Sequence, residues 1–357
     1  MKTIFDHTPL GNLEVKNRIV AAATGHNLTD EVGHIPKELF DVYRELAQGG
    51  SGFILLEFTS VAVADHFNTG LMRLHRDDLI PEYKKLADMI HSYGAVVMPQ
   101  LAMGIYLKQS VSGRLVQLSP TQMTKDDIQD IIDKFVSAAA RAKTAGFDGV
   151  QLHGAHGFVL STFFSPAYNQ RQDEYGGSTG ARTKIVTDII KKIKEQCGDF
   201  HVSIKINSSD FMAGGLQPEE SLKVCQILEQ AGLDSIEVSG MGPCVDGVRP
   251  GDSEGFFAPY AKILKNIVLI PVILTGGHRS VEHMEQLLNE DVTDFFSVSR
   301  PLIREPGLIA RWQNGDMRPS DCVSCNQCFN MHGHSCIRGT VHADGSITQN
   351  KRDARRR

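Results

Sequence analysis

The sequence predicts an α/β protein: a (β/α)8 TIM barrel with an N-terminal hairpin plug and a short Cys-rich C-terminal tail. Short β-branched or apolar runs alternate with longer helical patterns eight times along the chain, as repeated βα units do. The strand-like runs are apolar at consecutive positions, so both faces are covered and the sheet is parallel. Eight such units close into a barrel rather than leave an open sheet. The 357 residues, 41% hydrophobic and 22% charged, suit one such barrel and exclude a disordered or collagen-like chain.

The elements follow in order. Leu10-Gly11-Asn12-Leu13 is a tight turn between two short apolar pieces, a hairpin that would plug the N-terminal mouth of the barrel. Strands are expected at 18–23, 52–58, 96–101, 149–153, 201–207, 235–239, 271–274 and 294–298. Helical patterns fall at 36–48, 79–93, 125–144, 181–197, 218–230, 257–265 and 281–289, with a last one near 308–312. Thr124 offers an N-cap hydroxyl, and Asp126 and Asp127 place acids in the first turn, where the helix dipole favours them. Gly94, Gly146, Gly198 and Gly232 each sit just past a helical run, where a left-handed residue is wanted. A compositional break near Pro319 divides a barrel, 1–318, from a tail, 319–357, rich in Cys, His and basic residues. Its end, 351–357 (KRDARRR), has no apolar partner and is expected to fray.

Composition narrows the function. A formal net charge of −5 argues against nucleic acid as a partner. The apolar runs are far shorter than the roughly 18 residues a membrane span needs. Asp6 and His7 stand where a signal peptide requires an apolar stretch, so a cytoplasmic location is expected. The expected partner is a small-molecule substrate, with a homo-oligomer left open. Cys197, Cys225 and Cys244 are scattered and read as reduced thiols, whereas Cys322, Cys325, Cys328 and Cys336 are bunched.

In a barrel of this kind the site lies at the C-terminal strand ends, with phosphate favouring the loops after strands seven and eight. After strand seven come Gly276 and Gly277, which let the backbone approach an anion and aim N–H groups at it. After strand eight come Ser299 and Arg300, a hydroxyl and a guanidinium able to grip phosphate. Either pair alone could be a turn or a surface ion pair; together they point to a phosphorylated cofactor. Strand four carries Gln151 and His153 on its lumen side, with His156 just above. Two imidazoles three apart could be metal ligands, an acid–base pair, or donors to a substrate oxygen. A metal is disfavoured because no third ligand stands at a neighbouring strand end, Glu57 being the nearest candidate. Gln100 on strand three can donate to and accept from a heteroaromatic ring. Lys205 on strand five needs an anion if it is buried, or could act as a Schiff-base lysine.

These residues resemble a family. KNRIV at 16–20, GGSGF at 49–53, Gln100-Leu101, HGAHGF at 153–158, SPAYNQRQDEYGGS at 165–178 and SRPLIREP at 299–306 are similar to segments of the Old Yellow Enzyme family of FMN-dependent NAD(P)H oxidoreductases. The resemblance runs from about Phe5 to Trp312. It implies FMN in the barrel mouth, with Ala22, Ala23, Thr24 and Gly25 along the isoalloxazine and Phe58 and Gln100 beside it. Lys205 would be the cation near flavin N1, and Gly276, Gly277, Ser299 and Arg300 would hold the phosphate. His153 and His156 would be catalytic, polarising a carbonyl or nitro oxygen of an activated alkene, with NAD(P)H as reductant.

Three departures stand out. Phe158 occupies the place of a frequent proton-donating Tyr, so alkene protonation would use water or another group. Gly25 replaces a Thr or Cys, and Met103 replaces a His. The cysteine segment resembles the iron–sulfur segment of the 2,4-dienoyl-CoA reductase branch, but its spacing is C-x2-C-x2-C-x7-C. Four thiolates could hold [4Fe–4S] or zinc. Two other readings stay open: a barrel lyase or aldolase using Lys205 as a Schiff base, and a flavin-binding redox sensor.

Overall fold

Eight parallel strands run β1 (Ile19–Ala21), β2 (Phe53–Ser60), β3 (Val96–Ala102), β4 (Gly149–Gly154), β5 (His201–Asn207), β6 (Ser235–Ser239), β7 (Val272–Thr275) and β8 (Phe295–Val298). The computed structural model describes residues 1–63, 70–240, 247–342 and 344–351. Cys244 and the basic end from 352, both read from the sequence, lie outside them. Each strand pairs with its sequence neighbours, and β8 closes on β1 through Phe296–Ile19, Ser297–Val20 and Val298–Ala21. The expected barrel is therefore closed. Among the described residues the helices around it include α1 (Lys37–Gln48), α2 (Ile80–His91), α3 (Lys125–Thr144), α4 (Thr179–Cys197), α5 (Pro218–Gln230), α6 (Ala258–Lys265), α7 (Val281–Asn289) and α8 (Leu308–Gln313), with short turns of helix at Val159–Phe164 and Arg300–Arg304. Among the described residues no helix is long and apolar enough to cross a membrane.

Local chemistry sets the boundaries. Thr124 caps α3 reciprocally: its hydroxyl accepts from the Asp127 amide at 3.2 Å, and the Asp127 carboxylate accepts from the Thr124 amide at 2.8 Å. Helix α4 starts two residues earlier than the apolar pattern suggests, because the Ser178 hydroxyl accepts from the Ala181 amide and caps the extra turn. Gly146 (φ +84°) and Gly232 (φ +99°) take the left-handed conformation their helix ends require. Thr8–Leu10 and Leu13–Val15 form the N-terminal hairpin, with Gly11 at φ +59° in its two-residue turn. Leu10 and Val15 pack against Val20, Phe53, Leu55, Met98, Ile273 and Phe295, filling the lower lumen. The plug therefore completes the core, and the open end is left to the loops after the strands. A second, larger core lies between strands and helices.

The run Asn169-x-Arg171-x-Asp173, the most distinctive in the sequence, is architectural. Arg171 pairs with Asp173 and donates to the carbonyls of Pro120 (2.7 Å) and Met123. Asn169 donates to the carbonyls of Phe163 and Tyr175. Together they pin the loop between β4 and α4. The tail is also clamped. Arg304 donates to Asp321 and to the carbonyls of Arg338 and Gly339. Arg279, 1% exposed, donates to the Cys322 carbonyl, the His278 carbonyl and the Ser324 hydroxyl.

Candidate active site

The C-terminal strand ends converge on one cavity of about 250 Å3. The loop after β1 brings Ala22, Ala23, Thr24 and Gly25 to its wall. Gln100 comes from β3, His153 and His156 from β4 and its loop, and Lys205 from β5. Gly276 and Gly277 follow β7, Ser299 and Arg300 follow β8, and Cys328, Phe329 and His334 of the tail complete it. Every cofactor-binding or catalytic residue expected from the sequence lines this cavity except Phe58. Strand β2 bulges between Leu56 and Phe58, and Phe58 packs with Leu71, Ala102 and Phe158 instead. Its ring meets the His153 ring edge to face at 6.2 Å. A larger cavity, about 720 Å3, lies between α1 and the tail. Its polar groups pair with one another, His332 with Glu38 and His342 with Glu45. Thr24 and Ser299 line both cavities, while Gln100, His153, His156, Lys205, Arg279 and Arg300 line the smaller one.

One end of the cavity is built for an anion. Gly276 and Gly277 have φ of +139° and +83°, and a Cβ on Gly277 would meet Val248 at 2.9 Å and Phe256 at 3.1 Å. Only glycine permits this backbone. The Ser299 hydroxyl lies 2.8 Å from that of Thr24, and Arg300 donates to the Asn326 side chain at 2.6 Å. Arg279, which the sequence reading missed, adds a second guanidinium. Burial, and also the nearby charge of Arg300, push down its affinity for a proton. A buried guanidinium and a half-buried one beside a glycine turn call for a negative group between them.

The other end carries the histidines. His153 and His156 meet edge to face with centroids 5.1 Å apart, and Phe158 packs on His153 at 4.7 Å. His156 is held at φ +62° by its amide donating to Asn207 Oδ1 (3.1 Å), an uncommon backbone state of the kind that clusters at functional sites. Its Nε2 lies 2.8 Å from the Ser239 hydroxyl, while the buried Nδ1 of His153 has no hydrogen-bond partner among the described residues. Burial, with the neighbouring Lys205 charge, lowers His156 to about 3. Burial and then the His156 charge push His153 well below its ordinary value. Both rings are therefore neutral at pH 7 and each can donate one N–H.

Between the two ends lies a residue the sequence reading did not single out. Glu237 on β6 is fully buried and faces Lys205 in register. The Lys205 ammonium donates to its Oε1 at 2.6 Å. Burial alone would raise this carboxyl, but the Lys205 charge and the donated hydrogen bonds hold it below its ordinary value. Lys205 thus finds within the protein the anion that its burial requires, while still lining the cavity. The pairing also disfavours a Schiff-base lysine, which must give up its proton to attack. The signal was present: Glu237 is the central residue of an otherwise neutral strand, Ser-Ile-Glu-Val-Ser, one register step from a lumen lysine.

The four clustered cysteines lie in the tail beside the cavity. Cys336 has its thiol raised by burial and by neighbouring Cys322 and Cys325, so these sulfurs are near one another. Yet among the described residues no three His, Cys, Asp or Glu side chains converge where a metal ion could sit. Cys325 is exposed, while Cys328 is buried against the cavity.

A model of the NADH:flavin oxidoreductase / NADH oxidase family matches residues 3–318. The chain is 34% identical over 344 residues to an NADH oxidase of Thermoanaerobacter brockii, covering 90% of this chain and 52% of that protein. It is 32% identical over 317 residues to an NADPH dehydrogenase of Listeria welshimeri, covering 86% and 93%. A solved 2-naphthoyl-CoA reductase shares the fold, with a TM-score of 0.83 at 24% identity over 95% of this chain and 56% of that one. The chain thus spans about half the length of the first curated relatives it matches.

Proposed function

Because the chain belongs to the NADH:flavin oxidoreductase / NADH oxidase family, to which its Old Yellow Enzyme resemblance pointed, we propose that it is an FMN-dependent NAD(P)H oxidoreductase acting on an activated alkene or a related electron-poor acceptor. The observation that carries this reading is the polarity of one cavity: a glycine pair and two guanidiniums at one end, neutral imidazoles at the other, and Gln100 and Lys205 between. The residues fit FMN. Gly277 tolerates no Cβ, Gly25 has no atom within 4 Å of where a Cβ would stand, and the buried Nδ1 of His153 lacks a partner among the described residues.

Bound FMN would supply the hydride chemistry, taking hydride from NAD(P)H and passing it on. The chain's residues do the rest. Gly276, Gly277, Ser299 and Arg300 would hold the phosphate, with Arg279 adding charge. Ala22, Ala23, Thr24 and Gly25 would flank the ring, and Gln100 would hydrogen-bond its edge. His153 and His156 would donate to the acceptor's carbonyl or nitro oxygen and draw charge toward it as hydride arrives. Phe158 carries no proton, so protonation of the product falls to water or to another group.

The purified protein is expected to be yellow, or to become so with FMN, and to bleach with NADH or NADPH under anaerobic conditions. Protein that stays colourless after reconstitution would refute the proposal. Colour that nicotinamide fails to bleach would leave only a flavin-binding protein. Arg300→Ala should weaken FMN by roughly 10- to 100-fold, the worth of a charge-assisted hydrogen bond at about 1.5–3 kcal/mol. Fluorescence titration of the apoprotein checks this, and an unchanged affinity would remove Arg300 from the phosphate grip.

A further inference from the structure

Glu237 is built into the cavity more heavily than an ion pair requires. Its Oε1 accepts from Lys205 Nζ (2.6 Å), Ser297 Oγ (2.7 Å) and Thr275 Oγ1 (3.0 Å), and its Oε2 accepts from Gln151 Nε2 (2.8 Å). Donors from β5, β8, β7 and β4 thus converge on one carboxylate. A carboxylate in this state only accepts, so the polarity of what surrounds it is forced. Gln151 must aim its NH2 at Glu237, which turns its oxygen toward Gln100. Gln100 must then donate its NH2, and does so at 2.6 Å. Its own Oε1 is left as the group available to accept from a ring edge in the cavity it lines.

The charge balance matters as much. A flavin gains negative charge when reduced, and a buried ammonium beside it would favour that state strongly in a low dielectric. With Glu237 2.6 Å away, the Lys205 charge becomes one end of a dipole whose field falls off faster than that of a lone charge. Resting on the flavin reading above, we infer that Glu237 sets the reduction potential of the ring bound here. It offsets the charge of Lys205 and fixes the polarity of the Gln151–Gln100 relay. Its presence keeps the ring a stronger hydride donor than Lys205 alone would allow. Glu237 is in this sense a positioning residue, acting through Lys205 and Gln100.

The test is the isosteric Glu237→Gln variant, reconstituted with FMN and equilibrated with a reference dye of known potential. The equilibrium constant for two-electron reduction should rise at least tenfold, about 30 mV for such a couple, with FMN stoichiometry unchanged. The same substitution is read again in a Lys205→Gln background, where removing the carboxylate leaves no unpaired ammonium to endanger folding. Without that ammonium, burial leaves the Glu237 carboxyl protonated and isosteric with Gln, so the double variant should lie within about threefold of Lys205→Gln alone. A rise below tenfold in Glu237→Gln, a fall, or a tenfold step in the Lys205→Gln background overturns the inference. Wild-type protein that never takes up FMN would defeat the flavin reading instead, so the two failures are distinguishable.

Discussion

Acidification should unfold the FMN-free protein between about pH 6.5 and pH 4.5, above the range in which ordinary carboxylates titrate. Five buried histidines cause this. Burial lowers His26 and His201 to about 4 and His156 and His278 to about 3, and it drives His153 lower still. In the unfolded chain each returns to about 6.5. Below that pH the unfolded state binds protons the native state refuses, so stability falls as pH falls, by about 1.4 kcal/mol per pH unit for each histidine. Glu57 works the other way. Burial raises it to about 8, so the native state carries its proton; the stability it contributes is present below about pH 4.5 and lost as pH rises through 8. The balance near pH 5.5 is about four protons, or about 5 kcal/mol per pH unit, against a total stability of about 5–15 kcal/mol. Far-UV circular dichroism against pH would show a steep transition near pH 5, and a transition confined below pH 4 would contradict it. His201 lies at the bottom of the barrel, bonded to Ser235 and Asn12. Its change to Gln should therefore reduce proton uptake on unfolding by about one without touching the cavity.

The barrel was legible because each level of the sequence agreed. Apolar runs marked the strands, helix-ending glycines and caps marked the helices, and the 11–12 turn marked the plug. The boundaries that moved did so for local reasons, such as the Ser178 cap that extends α4. The two ends of the site were legible because each rests on residues adjacent in sequence: Gly276-Gly277, Ser299-Arg300, and His153 with His156. What joins them was not. Glu237, Lys205, Gln151, Gln100, Thr275 and Ser297 come from six strands, and nothing local says which lumen side chains meet. Arg279 was hidden for a similar reason: its partners, Cys322 and Ser324, lie more than forty positions away. Phe58 falls outside the cavity lining, where β2 bulges at Glu57. The Glu57 carboxylate is buried among the backbone amides of His26, Asn27 and Met72, a demand that strand periodicity does not reveal.

Removing both imidazoles, by His153→Ala with His156→Ala, should abolish binding of phenolic ligands while FMN stays in place. A phenolate oxygen mimics the acceptor oxygen at the histidine end, and each N–H donated to it is worth about 1.5–3 kcal/mol because the acceptor is charged. Losing both predicts a fall in affinity of roughly 10²- to 10⁴-fold, read from the long-wavelength charge-transfer band between phenolate and flavin. The single variants should be unequal. His156 already shares its Nε2 with the Ser239 hydroxyl, so His153→Ala should cost more. The pH profile is a separate check. Burial keeps His156 neutral down to about pH 3 and His153 neutral lower still, so affinity between pH 6 and 8 should follow only the phenol's own ionisation. An additional inflection near pH 6.5 would show that one imidazole is charged when it binds. The site would then stabilise its acceptor with an imidazolium rather than with a pair of neutral donors.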